Sequence, residues 1–148
     1  MQSDTQPAPT PKWMVWTGWI VSVLPVLMLL MSGVMKLLKP AAVVEGFNQL
    51  GWPENLALAL GILELSCTAL YVVPRTAVLG AILLTGYLGG AVATHVRIGD
   101  PSFYGPIILG VLVWLGLYLR DYRLRALLPL RSKVPQAPTG PRDDAYGA

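Results

Sequence analysis

"LALALGILELSCTALYVV", residues 56–73, holds one charged residue, Glu64, among seventeen uncharged ones. Its length falls in the range of about 17–25 residues that a helix needs to cross the hydrocarbon of a bilayer. It lacks the strict alternation of a barrel strand. In hydrocarbon the backbone must satisfy its own hydrogen bonds, so a helix is the expected form. The stretch therefore predicts a transmembrane helix with a carboxyl inside it.

Three more runs carry the same signature without any charge: Trp13–Met35, Thr76–Thr94 and Ser102–Leu119. Pro25 predicts a kink in the first. Between the first two spans, "LKPAAVVEGFNQLGWPEN" has two prolines and two glycines. It predicts a loop with a short interfacial helix over Ala41–Leu50. "VVPRT" is a tight turn, and "RIGDPSFYGP" separates the last two spans. The predicted fold is all-α, an integral membrane four-helix bundle over residues 13–130. Residues 1–12 and 131–148 are polar and proline-bearing, and are expected to be disordered tails. The first apolar run is longer than a signal-peptide core and shows no small-residue cleavage site.

Composition agrees with a membrane protein. Of 148 residues, 54% are hydrophobic and 13% charged; soluble domains carry about 25% charged residues. One cysteine, Cys67, and one histidine, His95, exclude an internal disulfide, a dithiol relay and bis-histidine haem ligation. No cluster of metal ligands is present. Basic residues are not interleaved with aromatics on a folded surface, so a nucleic-acid partner is not expected. The lipid bilayer is the expected partner.

Four spans place both termini on one side. With the termini inside, Lys12, Arg75, Arg120, Arg123, Arg125, Arg131, Lys133 and Arg142 are cytoplasmic, and Lys36, Lys39 and Arg97 are outside. Eight against three favours that orientation, in the inner (plasma) membrane of the cell. Trp13, Trp16, Trp19, Trp52 and Tyr118 lie near predicted span ends, as an aromatic belt does.

At about 100° per residue, small and polar residues collect on one side of three spans. The sets are Gly18, Ser22, Pro25, Leu29, Ser32, Gly33 and Lys36; then Ala57, Gly61, Glu64, Thr68 and Tyr71, with Cys67 at the margin; then Gly86, Gly90, Ala93 and Arg97. On this reading His95 faces lipid at headgroup depth, and Arg97 faces the bundle. Lys36 and Arg97 fall near the outer boundary, where long side chains snorkel. Glu64 lies about eight residues, roughly 12 Å, into its span. A pair between Glu64 and Lys36 or Arg97 then needs a tilt, an offset or a water.

Glu64, Arg97, Lys36, Asp100 and His95 form the candidate polar site. An intramembrane carboxyl is a functional candidate by default. The plainer reading is an acid hydrogen-bonded to a neighbouring helix. Asp100 precedes a proline and reads as a turn residue or a partner of Arg97. Cys67 reads as a buried, inert thiol.

"MSGVMKLLKP", "LGW", "GILEL", "PRTAVLGAILLTGYLGGAVATHVRIGDP" and "WLGLYLRD" together resemble the DoxX-like integral membrane family, over roughly Leu30–Leu128. The resemblance implies a small four-helix membrane bundle. Namesake relatives are associated with a thiosulfate:quinone oxidoreductase, and others with membrane redox or thiol-stress complexes. It implies a quinone- or thiol-linked membrane subunit without its own redox centre, needing an electron-carrying partner. The residues leave two further readings open: a small proton-coupled transporter, dimeric, and a structural or assembly subunit. On the redox reading a quinone or small oxidised substrate meets Glu64 as proton handler, with Arg97 and Lys36 holding an anion or carbonyl oxygen.

Overall fold

A computed structural model of the chain describes residues 11–127. Six α-helices run in order: α1 (Lys12–Leu38), α2 (Ala41–Gln49), α3 (Leu56–Val72), α4 (Ala77–Arg97), α5 (Tyr104–Arg120) and α6 (Tyr122–Leu127). A 3-10 turn, Pro101–Phe103, leads into α5. Among the described residues there is no strand. Both expected tails lie almost wholly outside the described residues.

α1, α3, α4 and α5 form an up-down-up-down bundle. Around the ring, α1 packs on α3 and α5, and α4 packs on the same two. Three helical segments are long and apolar enough to cross a membrane: Lys12–Leu38, Ala77–Arg97 and Pro101–Arg120. α3 has 17 residues, the lower end of the spanning range. It nevertheless runs alongside α1 from Gly61, which abuts Gly33, to Tyr71, whose hydroxyl reaches Ser22. It therefore crosses most of the thickness that α1 crosses. The outer surface is apolar: Trp16 and Met31 are each 70% exposed. Such a surface suits lipid and would be a liability in water.

Glycines set the closest approaches. A Cβ on Gly116 of α5 would fall within 3.2 Å of the Gly18 carbonyl oxygen on α1, and closer still to the Ser22 hydroxyl. A Cβ on Gly61 would lie 3.0 Å from the Gly33 carbonyl oxygen. At the tight turn between α3 and α4, a Cβ on Gly80 would run into the Tyr71 backbone. The core between these contacts is filled by Leu29, Tyr71, Leu84, Leu88, Val113 and Leu117.

The expected faces of α1 and α3 agree with the buried sets, Gly18, Ser22, Pro25, Leu29 and Gly33 on α1 and Ala57, Gly61, Glu64, Cys67, Thr68 and Tyr71 on α3. The face expected for α4 is inverted. Its buried residues are Ala77, Gly80, Ala81, Leu84 and Leu88. Gly86, Gly90, Ala93 and Arg97 point outward, and a Cβ on Gly86 or Gly90 would meet nothing within 4 Å. Among the glycines of α4, close backbone approach occurs at Gly80, where the turn forces it. Beyond that point bulky leucines fill the interior, so small residues there do not mark the packed side. α1 runs unbroken through the buried Pro25. The short helix α2 lies against α3 and buries Phe47, close to the expected bounds.

Candidate functional site

Glu64 occupies the inward face of α3 and is 2% exposed. Lys36 donates from Nζ to Glu64 Oε2 at 2.9 Å. The same ammonium donates to Ser32 Oγ at 2.6 Å, and Ser32 donates in turn to Glu64 Oε2 at 3.3 Å. Ser32 and Lys36 are one helical turn apart on α1, so both meet the carboxyl from one face. The Tyr87 phenol of α4 lies near the same carboxyl. The cluster thus joins α1 and α3 through one buried acid, with Tyr87 of α4 close by. Lys36 stays partly open, with 18% of its side chain exposed. Cys67, one turn along α3, is buried beside it.

Side-chain direction explains how the pair forms. A helical side chain leans toward the N-terminus of its helix. For Lys36 that direction is back into the bundle, toward Ser32, and not outward to the headgroups. The packing of Gly61 against Gly33 and the Lys36 Cβ brings the next inward turn of α3, at Glu64, under the lysine stem.

The other three candidates lie elsewhere. Arg97 is exposed and donates from its guanidinium to the Leu50 carbonyl oxygen at 2.6 Å. It fastens the loop after α2 to the end of α4. His95 does not face lipid: it follows Leu84 by eleven residues and falls within about 20° of the same line. Its Nδ1 lies 2.8 Å from Asp100 Oδ2. Gly99, at φ 71, ends α4 in a Schellman arrangement, with the Asp100 N–H bonding the His95 carbonyl at 3.0 Å. The reversal is what returns Asp100 to His95 and not to Arg97. Bonds from the Ser102 backbone and hydroxyl, and then His95, hold the Asp100 carboxyl down at about 2. As a carboxylate it only accepts, so Nδ1 carries the proton of this contact.

Two polar groupings escaped the sequence reading. Tyr87 flanks the buried line of α4, which its one-turn spacing from Leu84 and Ala91 would have indicated had the face been assigned correctly. At the end of the bundle that carries both termini, Tyr71 donates to the Val113 carbonyl oxygen at 2.9 Å and meets Ser22 Oγ at 2.9 Å. Arg120 stacks on the Trp19 and Tyr71 rings, each 4.5 Å away. It donates to the Tyr71 carbonyl oxygen at 2.7 Å, which α3, ending one residue later, cannot satisfy itself.

A groove of 630 Å³ runs between α4 and α5, lined mainly by Leu88, Val92, Ile107, Val111 and Leu115. Its Trp114 indole donates to Thr85 Oγ1 at 2.8 Å. None of Ser32, Lys36, Glu64 or Tyr87 lines it. A quinone needs an apolar slot and a proton-exchanging group at its carbonyl. This groove offers the apolar slot without the acid. Among the described residues no group of His, Cys, Asp and Glu is arranged to hold a metal ion.

No curated protein and no solved structure gives a significant match to the chain. The profile of the DoxX-like family matches residues 20–116. The match runs from within α1 to within α5 and takes in the whole Ser32–Lys36–Glu64–Tyr87 cluster. With its apolar helical bundle, the chain is a membrane protein that belongs to the DoxX-like family.

Proposed function

We propose that the chain is the proton-handling membrane subunit of a redox assembly, with the electron carrier on a partner protein. It sits in the inner membrane with both termini on the cytoplasmic side. The observation that carries this reading is the Lys36–Glu64 pair, one member fully buried and the other partly open. An incoming carbonyl or small oxyanion competes with Glu64 for the Lys36 ammonium. Once Lys36 turns to it, Glu64 is a buried charge without a partner, which costs several kcal/mol. Uptake of a proton removes that cost. Binding and protonation are thereby coupled through one side chain, and the Ser32 hydroxyl, donor and acceptor at once, provides the contact through which the proton arrives. The single cysteine and single histidine supply no redox pair, so electrons belong to the partner. Charge supports the orientation: Lys12, Arg75, Arg120, Arg123 and Arg125 gather at the terminal end of the bundle.

Purification of the wild type and Glu64→Gln in mild detergent tests the reading. The wild type should retain a protein bearing a flavin, haem or iron–sulfur centre. Glu64→Gln should keep that partner and lose about 100-fold in its electron-transfer turnover, the scale of positioned acid–base catalysis. Uptake into liposomes driven by a pH gradient, without any partner and lost in Glu64→Gln, would instead show a transporter. Unchanged turnover and assembly in Glu64→Gln would leave a structural subunit.

A further inference from the structure

The end of the bundle that carries both termini has a cavity of 370 Å³ unrelated to Glu64, formed by the turn between α3 and α4, the end of α5 and the start of α6. Trp19, Arg75, Arg120, Asp121, Tyr122 and Arg123 line it. Three guanidiniums thus share one concavity with a single acid. That acid is occupied elsewhere: Asp121 Oδ1 accepts the Arg123 backbone N–H at 2.9 Å. It forms no ion pair with the three arginines among the described residues. Arg120 is held rigidly by its two ring contacts and the Tyr71 carbonyl. Arg123 lies over the Tyr122 ring, and Arg75 has no side-chain partner among the described residues.

We propose that this cavity binds the phosphate group of an anionic lipid headgroup. The chemistry fits on three counts. Guanidinium forks match phosphate oxygens in pairs of parallel hydrogen bonds. Positive charge exceeds negative, three guanidiniums against the one carboxylate of Asp121, at the level where apolar helix surface gives way to the polar turns of one bundle end, which is where lipid phosphates lie. Trp19 and Tyr122 supply amphipathic rings at that level, as membrane-interface belts do. Arg120 is anchored in place, Arg75 is free to close on the ligand, and Arg123, held only by the exposed Tyr122 ring and hydroxyl, can turn to it, which distinguishes this from a diffuse basic surface. The proposal is independent of the role of Glu64.

Native mass spectrometry of the full chain in micelles of mixed phosphatidylglycerol and phosphatidylcholine tests it. The wild type should retain phosphatidylglycerol in preference. Arg75→Gln and Arg123→Gln should each lower that preference about fivefold, and together about twenty-fivefold. Both side chains are exposed, so the variants should remain folded, which circular dichroism checks. Lys12→Gln removes a charge from the same end outside the cavity and should leave the preference unchanged. No preference in the wild type, or an equal loss in Lys12→Gln, overturns the proposal. Tight binding of inorganic phosphate without any lipid preference would assign the cavity to a soluble phosphate and overturn the lipid assignment.

Discussion

At the scale of single residues, the structure turns on which way Lys36 points. A lysine near the end of a membrane helix is expected to snorkel outward. Here α1 continues to Leu38, and the side chain leans back onto Ser32 and Glu64. Removing one member of a buried pair costs more than removing both, because the survivor is left charged and alone. Lys36→Met should therefore destabilise the protein by about 3 kcal/mol in thermal unfolding, and Lys36→Met with Glu64→Gln should recover most of that. Equal stability of single and double variants would mean that the pair does not hold in the membrane. The rim contact makes a different prediction. The Asp100 carboxyl sits at about 2, below its ordinary 3.8. Its contribution is complete above pH 3.8 and disappears as pH falls through about 2. Wild-type unfolding should show this loss between those values, and Asp100→Asn should not. Glu64 was legible from its charge inside an apolar run, and Lys36 from its place just past the end of one. Their pairing was not, because it depends on side-chain direction and helix offset, which composition does not carry.

At the scale of elements, glycines separate into those that pack and those that face outward. Gly116 of α5 meets Gly18 and Ser22, and Gly80 of α4 meets the Tyr71 backbone. Gly116→Ala and Gly80→Ala should each cost about 1–3 kcal/mol or more, since backbone cannot yield as a flexible side chain does. Gly86→Ala and Gly90→Ala add a methyl into open space and should be neutral or slightly stabilising, by up to about 1 kcal/mol of helix propensity. Thermal unfolding of the four variants in detergent reads the contrast directly. The faces of α1 and α3 were legible because small and polar residues coincide there with the buried line. α4 misled for a physical reason. Its small residues Gly86, Gly90 and Ala93 lie opposite a buried line that is largely leucine, and leucine serves lipid and core alike. That inversion alone misplaced His95 and Arg97.

At the scale of the molecule, an up-down-up-down bundle holds a polar cluster at one end of its core and a basic, aromatic-lined cavity at the other. The proposed orientation follows from the charge distribution. Reporter fusions after Lys133 and within α2 should report cytoplasmic and external locations respectively; the reverse pattern would invert the assignment. The number of long helices and their joints were legible because a bilayer sets span length and the chain marks each turn with Pro, Gly and charge. The depth and neighbours of the cluster emerge only from assembly of the helices.

Infrared spectroscopy of the protonated-carboxyl band, at neutral pH in lipid nanodiscs, tests most directly whether Lys36 controls the protonation of Glu64. The wild type should show no such band from Glu64, Lys36→Met a clear band, and Lys36→Met with Glu64→Gln its loss. A Lys36→Met protein without the band, or a band that survives Glu64→Gln, would contradict it.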